Sequence, residues 1–137
     1  MNFYTVDILT PSKVVAKDVP AEALLVPTVR GQINVLANHT HIVSKLETGV
    51  VSVFGGADDP DRYFSVTAGV CKVLNDKITI LAKTSEESHE INLERAKEAL
   101  ANAEQMLDQH LKDDEYTKYV RKKERAQLRI QLCEFKG

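Results

Sequence analysis

The second half of this chain lacks the residues that break regular structure. All four prolines, at positions 11, 20, 27 and 60, lie in the first half, and no glycine occurs between Gly69 and Gly137. Turns and short strands are therefore confined to the first part, and long helices are free to form in the second. Cysteine is equally scarce. Cys71 and Cys133 fall one in each half, which excludes a disulfide framework and is too few for a thiolate metal site. No side of the charge balance dominates: 18 Lys+Arg face 20 Asp+Glu, for a net charge of −2. The halves divided at residue 87 are just as even, 8 basic against 9 acidic and then 10 against 11. Such a balance excludes the broad basic footprint of a duplex nucleic-acid binder. No apolar run approaches the ~20 residues that span a bilayer. The opening MNFYTVDIL has neither a signal-peptide core nor an Arg-rich presequence, so a cytoplasmic chain is expected. No phosphate-loop glycine pattern and no nucleophile elbow occurs, so an enzyme is not expected.

What is present divides near residue 87. Before it, short β-rich runs alternate with turns. Tyr4, Val6 and Ile8 alternate with more polar neighbours. Val14–Ala16 reads as a second short strand, with Pro20 closing that region. Ala23–Val26 is a buried run stopped by Pro27. Ile33, Val35 and Leu36 follow a turn at Arg30-Gly31, and Val50–Phe54 is bounded by glycines. Tyr63–Thr67 alternates and ends at Ala68-Gly69. Between Val70 and Ala82, Asn75-Asp76 separates two β-rich runs, and both residues tolerate the positive φ of a hairpin turn. The spacing predicts an antiparallel sandwich or flattened barrel. The loop Gly55–Asp61 (GGADDPD) is acidic but lacks the spaced ligands of a calcium loop. His39 and His41 could face a metal together, but no further ligand follows at suitable spacing, so no metal is expected.

After residue 87, Leu93, Ala96, Leu100, Ala103, Leu107 and Leu111 recur every three or four residues, which predicts an amphipathic helix with Asn92 as its N-cap. Lys112–Glu115 interrupts the pattern, and Asp113 or Asp114 is expected to cap a second helix. That helix should be acidic in its first turn and basic in its last turns. Its apolar stripe reads Tyr116, Tyr119, Val120, Ala126, Ile130 and Cys133. Lys118, Lys122, Arg125 and Arg129 form a separate stripe at spacings of four, three and four, with Arg121 beside it. Glu124 is the only acid between residues 117 and 133. Neither helix buries its apolar face alone, so the two should pair antiparallel. A narrow basic face of this kind attracts an acidic partner surface or a phosphate.

Four segments in order carry a resemblance over nearly the whole chain. They are GQINVLANHTH (residues 31–41), SVTAGVCKVLNDKITILAKTS (65–85), INLERAKEAL (91–100) and KKERAQLRI (122–130). Together they resemble the epsilon subunit of bacterial F-type ATP synthases, the counterpart of mitochondrial delta. The resemblance implies an α+β fold: a sandwich of about ten strands over residues 1–86, then a helical hairpin over 87–137. It implies a non-catalytic subunit of a proton- or sodium-driven synthase, peripheral on the cytoplasmic face of the bacterial inner membrane. The sandwich would join the gamma subunit to the rotor ring. The turn of Arg30, Gly31, Gln32 and His39 would face the ring. The hairpin would reach the alpha and beta subunits and inhibit hydrolysis, with Lys118, Arg121, Lys122, Arg125 and Arg129 meeting an acidic loop of beta. Asn34 and Ala37 stand where the family carries glycine and proline. Some members bind ATP through residues that correspond to Glu86, Asn92, Arg95, Arg125 and Arg129. Here Asn92 replaces an aspartate, so ATP is expected only as a weak regulatory ligand, with no other cofactor. The alternatives are a nucleotide-sensing module using those arginines as a clamp, and a small metal enzyme built on His39, His41 and the acidic loop.

Overall fold

The computed structural model describes residues 4–35 and 42–134. Eight strands come first: β1 (Tyr4–Leu9), β2 (Val14–Ala21), β3 (Ala23–Thr28), β4 (Gly31–Val35), β5 (Ile42–Leu46), β6 (Gly49–Phe54), β7 (Arg62–Leu74) and β8 (Lys77–Glu87). A 3-10 turn (Ser88–Glu90), α1 (Leu93–Leu107) and α2 (Asp113–Glu134) follow. The described residues form two compact units, the first ending at Glu87 and the second beginning at Ser88.

The α+β class holds, with eight strands among the described residues instead of ten. The figure of ten follows from the resemblance and not from the β-rich runs themselves; the runs differ from the structure at the Ala68-Gly69 pair, which reads as a terminator. In the structure β7 runs through it for 13 residues. Its first half pairs with β6 and its second half with β5. β8 accompanies it throughout and also pairs with β1. The long β7–β8 hairpin thus belongs to both layers, β5–β7–β8–β1–β2 and β4–β3–β6–β7–β8. At Ala68, φ is 29°, and the inward-facing set changes parity there. Phe64 and Val66 point into the core before it, and Cys71 and Val73 after it. β8 changes parity at the same level, from Ile80 and Ala82 to Ser85 and Glu87. One contiguous core results, with Phe64, Ile8, Leu24, Leu46 and Ile80 completely buried.

Two further expectations are corrected. Pro20 lies inside β2 and Pro27 inside β3. β2 is an edge strand, where a missing N–H costs no ladder bond. Pro27 lies beyond the part of β3 that β6 pairs, which is Ala23–Leu25, and its carbonyl accepts the Glu47 N–H at 3.0 Å. The sheet is also not wholly antiparallel, because β1 and β8 run parallel. The Asn75-Asp76 hairpin forms as the sequence predicts, with Asn75 at φ 55°.

A charge cluster fixes the bulge of edge strand β2. Asp18 has φ 52°, and its N–H donates to Asp7 Oδ1 at 2.7 Å. Lys77 Nζ bridges Asp7 at 2.9 Å and Asp18. Burial works to raise the Asp7 pKa, but the Asp18 amide and the Lys77 ammonium outweigh it, and the net shift is downward. A depressed carboxyl pKa contributes stability that is present above the unfolded value, about 3.9, and is lost as pH falls through the folded value. Asp7→Asn should therefore flatten the loss of stability below about pH 4, measured by thermal melts across that range.

Candidate functional site

The second unit is built from its caps outward. Asn92 is the N-cap of α1, and its Oδ1 accepts the Arg95 N–H at 3.1 Å. Asn92→Ala should cost about 1 kcal/mol of hairpin stability, read as a lower helix melting point by circular dichroism. Glu94 sits in the first turn, as expected for the helix dipole. Ala96 and Ala103 are buried, while Leu100 and Leu107 are half-buried and Leu93 is exposed. Small residues let α2 approach closely, and the two helices pack on each other. α1 stops at Leu107, so Leu111 lies in the connection instead of the stripe.

α2 starts at Asp113, one residue before the expected cap would allow. Lys112 takes the cap position, and its carbonyl accepts the Tyr116 N–H at 2.8 Å. Asp113, Asp114 and Glu115 fill the first turn, where their charge favours the dipole. The expected basic last turn is absent, because the helix continues past Arg129 to Glu134. The buried residues of α2 are Ala126, Leu128 and Leu132. The sequence stripe includes only the first of these. Tyr116, which it also contains, is 53% exposed. The rest of the predicted stripe is covered, with Tyr119, Val120, Ile130 and Cys133 half-buried, and the leucine pair at i, i+4 was the signal for the packed residues it left out.

The cations behave as their spacing predicts. Lys118, Arg121, Lys122 and Arg125 are exposed, and Arg129 is half-buried. Lys118 and Lys122 place their ammonium groups 5.8 and 5.2 Å from the centroid of the Tyr119 ring. The ring face favours both cations at that range and holds them on one side of the helix. Together with Asp114 and Thr117, the four exposed cations line a shallow groove of about 270 Å³. Nothing in this set is a nucleophile or a general base in a closed pocket. Four cations against one carboxylate, Asp114, give the groove a net positive charge, which suits a negatively charged surface.

The other predicted residues lie elsewhere in the chain. Arg30, Gly31 and Gln32 are exposed at the β3–β4 turn, where Gly31 adopts φ 98° and the Thr28 hydroxyl donates to the Gly31 carbonyl at 2.8 Å. His39 and His41, with Leu36 and Ala37, fall outside the described residues. Glu86 is half-buried in β8, and its N–H donates to Ser65 Oγ at 3.1 Å. Asn92 and Arg95 belong to the opening of α1, and Arg125 and Arg129 stand one turn apart on α2. Asn92 Oδ1 accepts the Arg95 amide, so that atom has a structural role of its own. In the acidic loop, Asp61 Oδ1 accepts the Gly55 N–H at 3.1 Å and closes the turn.

One pair escaped the sequence reading. Arg62 opens β7 and Glu87 closes β8, 25 residues later. The guanidinium donates from Nε to Oε2 at 2.8 Å and from Nη2 to Oε1 at 2.7 Å, and it lies 5.3 Å from the Phe64 ring centroid. No local spacing announces a pair so far apart in sequence.

Residues 3–88 match the family model described as the ATP synthase delta/epsilon chain, beta-sandwich domain. The chain belongs to this family. Its relatives include the ATP synthase epsilon chains of Staphylococcus aureus strains JH9 and Newman. Both are 35% identical over 136 residues, covering 99% of this chain and all of theirs. Among solved structures, a chain of the Euglena gracilis mitochondrial ATP synthase (OSCP/F1/c-ring) superposes with a TM-score of 0.69. The identity is 18%, over 98% of this chain and 79% of that one. A chain of the Tetrahymena thermophila mitochondrial ATP synthase central stalk and c-ring gives 0.58 at 12% identity, over 95% and 96%. At those identities the superpositions speak to the fold alone. Family membership makes this an ATP synthase epsilon-type subunit, accessory and not itself catalytic. Among the described residues, no helix is long and apolar enough to cross a membrane.

Proposed function

We propose that this delta/epsilon-family chain couples the rotor ring to the gamma stalk through its sandwich and restrains ATP hydrolysis through its hairpin. The observation that carries the second part is the exposed cationic face of α2, Lys118, Arg121, Lys122 and Arg125, in a chain whose overall net charge is −2. A stalk subunit that rotates past stationary subunits needs a contact that forms and breaks. Exposed charges suit this, because they steer association while each contributes little to affinity. The partner of this face is an acidic surface of the alpha–beta head. The β3–β4 turn with Arg30, Gly31 and Gln32, and beyond it His39, faces the ring. The chain works on the cytoplasmic face of a bacterial plasma membrane and is held there by its partners.

A photo-crosslinker in place of Thr117 tests the contact, since Thr117 is exposed within the groove. Irradiation of the assembled synthase should join the chain to a catalytic beta subunit. Crosslinks confined to gamma or to the ring would contradict the assignment.

A further inference from the structure

The charged pair that the sequence conceals stands where the first unit ends. Glu87 is the last residue of β8 and of that unit, and Ser88 begins the 3-10 turn that leads to α1. The β8 ladder reaches Glu87 opposite Phe64, near the start of β7. Strand ends normally fray, and a terminal residue at the boundary of a compact unit is a natural place for fraying to begin. Here the end is clamped. Glu87 is 8% exposed, its carboxylate takes both arms of the Arg62 fork, and Arg62 lies over the fully buried Phe64 ring. A bidentate guanidinium–carboxylate pair fixes orientation as well as distance. Ser65 adds a second tie one residue upstream, where its Oγ accepts the Glu86 N–H.

We infer that Arg62 and Glu87 are positioning residues for the hairpin: their fork pins the chain's exit from the sandwich, so that hairpin motion begins at Ser88 and not within β8. The inference rests on the proposed restraint of hydrolysis. A hinge confined to the short segment 88–92 limits the arc that α2 can sweep. A frayed β8 would lengthen the tether and dilute the basic face over a larger volume.

The test uses the full chain with Glu87→Gln, which keeps size but removes the charge and turns one of the two acceptor oxygens of the fork into a donor. Arg62→Lys is the second variant, keeping charge without the fork. Amide exchange at residues 84–87 should accelerate at least about ten-fold in both, while exchange across β1 and β6 stays as in the wild type. Nitroxides at exposed positions Glu47 and Gln131, in a Cys71→Ala, Cys133→Ala background, should give a broader distance distribution in both variants than in the parent. Half-maximal inhibition of ATP hydrolysis should move several-fold while co-elution with gamma is retained. A lower melting temperature with unchanged distance distribution and unchanged inhibition would reduce the pair to a stabilising contact and overturn the inference. Exchange and distances are read on the isolated chain. They therefore decide the inference even where the wild type itself does not inhibit, which is the separate failure of the proposed function.

Discussion

Replacing Lys118, Arg121, Lys122 and Arg125 together with alanine is expected to raise the concentration for half-maximal inhibition of ATP hydrolysis by roughly 100-fold. Exposed charge contacts contribute about 0.2–1 kcal/mol each, so four of them amount to about 3 kcal/mol, or about two decades of affinity. The helix should survive the change, because all four side chains are exposed and alanine is the strongest helix former. Circular dichroism checks this directly. The wild-type interaction should also weaken steeply with salt, while the variant should be nearly insensitive. Unchanged inhibition by a folded quadruple variant would remove the basic face from the mechanism.

Gly69→Ala is expected to be the most damaging single substitution at the corner of the sandwich. A Cβ on Gly69 would lie 2.2 Å from the Leu81 carbonyl oxygen and 3.0 Å from the Ala82 Cα. Those atoms belong to the backbone of the paired strand β8, so no side chain can swing aside. Overpacking of a core usually costs about 1–3 kcal/mol, and a collision with backbone belongs at or above the top of that range. For a domain of this size, a loss of about 3 kcal/mol lowers the melting temperature by at least ~12 °C. Ala68→Gly supplies the contrast. Ala68 has φ 29°, so glycine relieves strain there while adding chain entropy to the unfolded state. The two effects leave the change within about 1 kcal/mol of neutral. Neighbouring residues of one dipeptide should thus respond very unequally, because one is limited by space and the other by backbone angle. Calorimetric melts of the two variants read the difference.

This same dipeptide shows why the strand boundaries could not be read from the sequence. Ala-Gly looks like a stop, and locally it is one, since the side-chain alternation breaks there. Whether a break ends a strand or bends it depends on what pairs on either side, and β6 and β5 end 14 and 22 residues upstream of Ala68, with no local mark of that pairing. β5 itself was missed, because Ile42–Leu46 is five residues long and follows directly on the His39-Thr40-His41 sequence. Pro20 and Pro27 misled for the same reason. A proline forbids one hydrogen bond, and only the sheet order tells whether that bond was needed. The Asn75 hairpin and the Asn92 cap were legible because their chemistry is complete within four residues. So was the basic face, since helical spacing alone places Lys118, Lys122 and Arg125 on one side. The Arg62–Glu87 fork and the Asp7–Asp18–Lys77 cluster were not legible. Their members meet only after the strands that carry them have paired.

The central claim is that the hairpin brakes and the sandwich couples. The most direct test is ATP hydrolysis by an alpha–beta–gamma core free of this subunit, titrated with the full chain and with a chain ending at Ser88. The shorter form retains Glu87 and so keeps the Arg62 fork. Saturable inhibition by the full chain alone, with both forms co-eluting with the core, is the expected result. Equal inhibition by both forms, or no binding by either, would contradict the account.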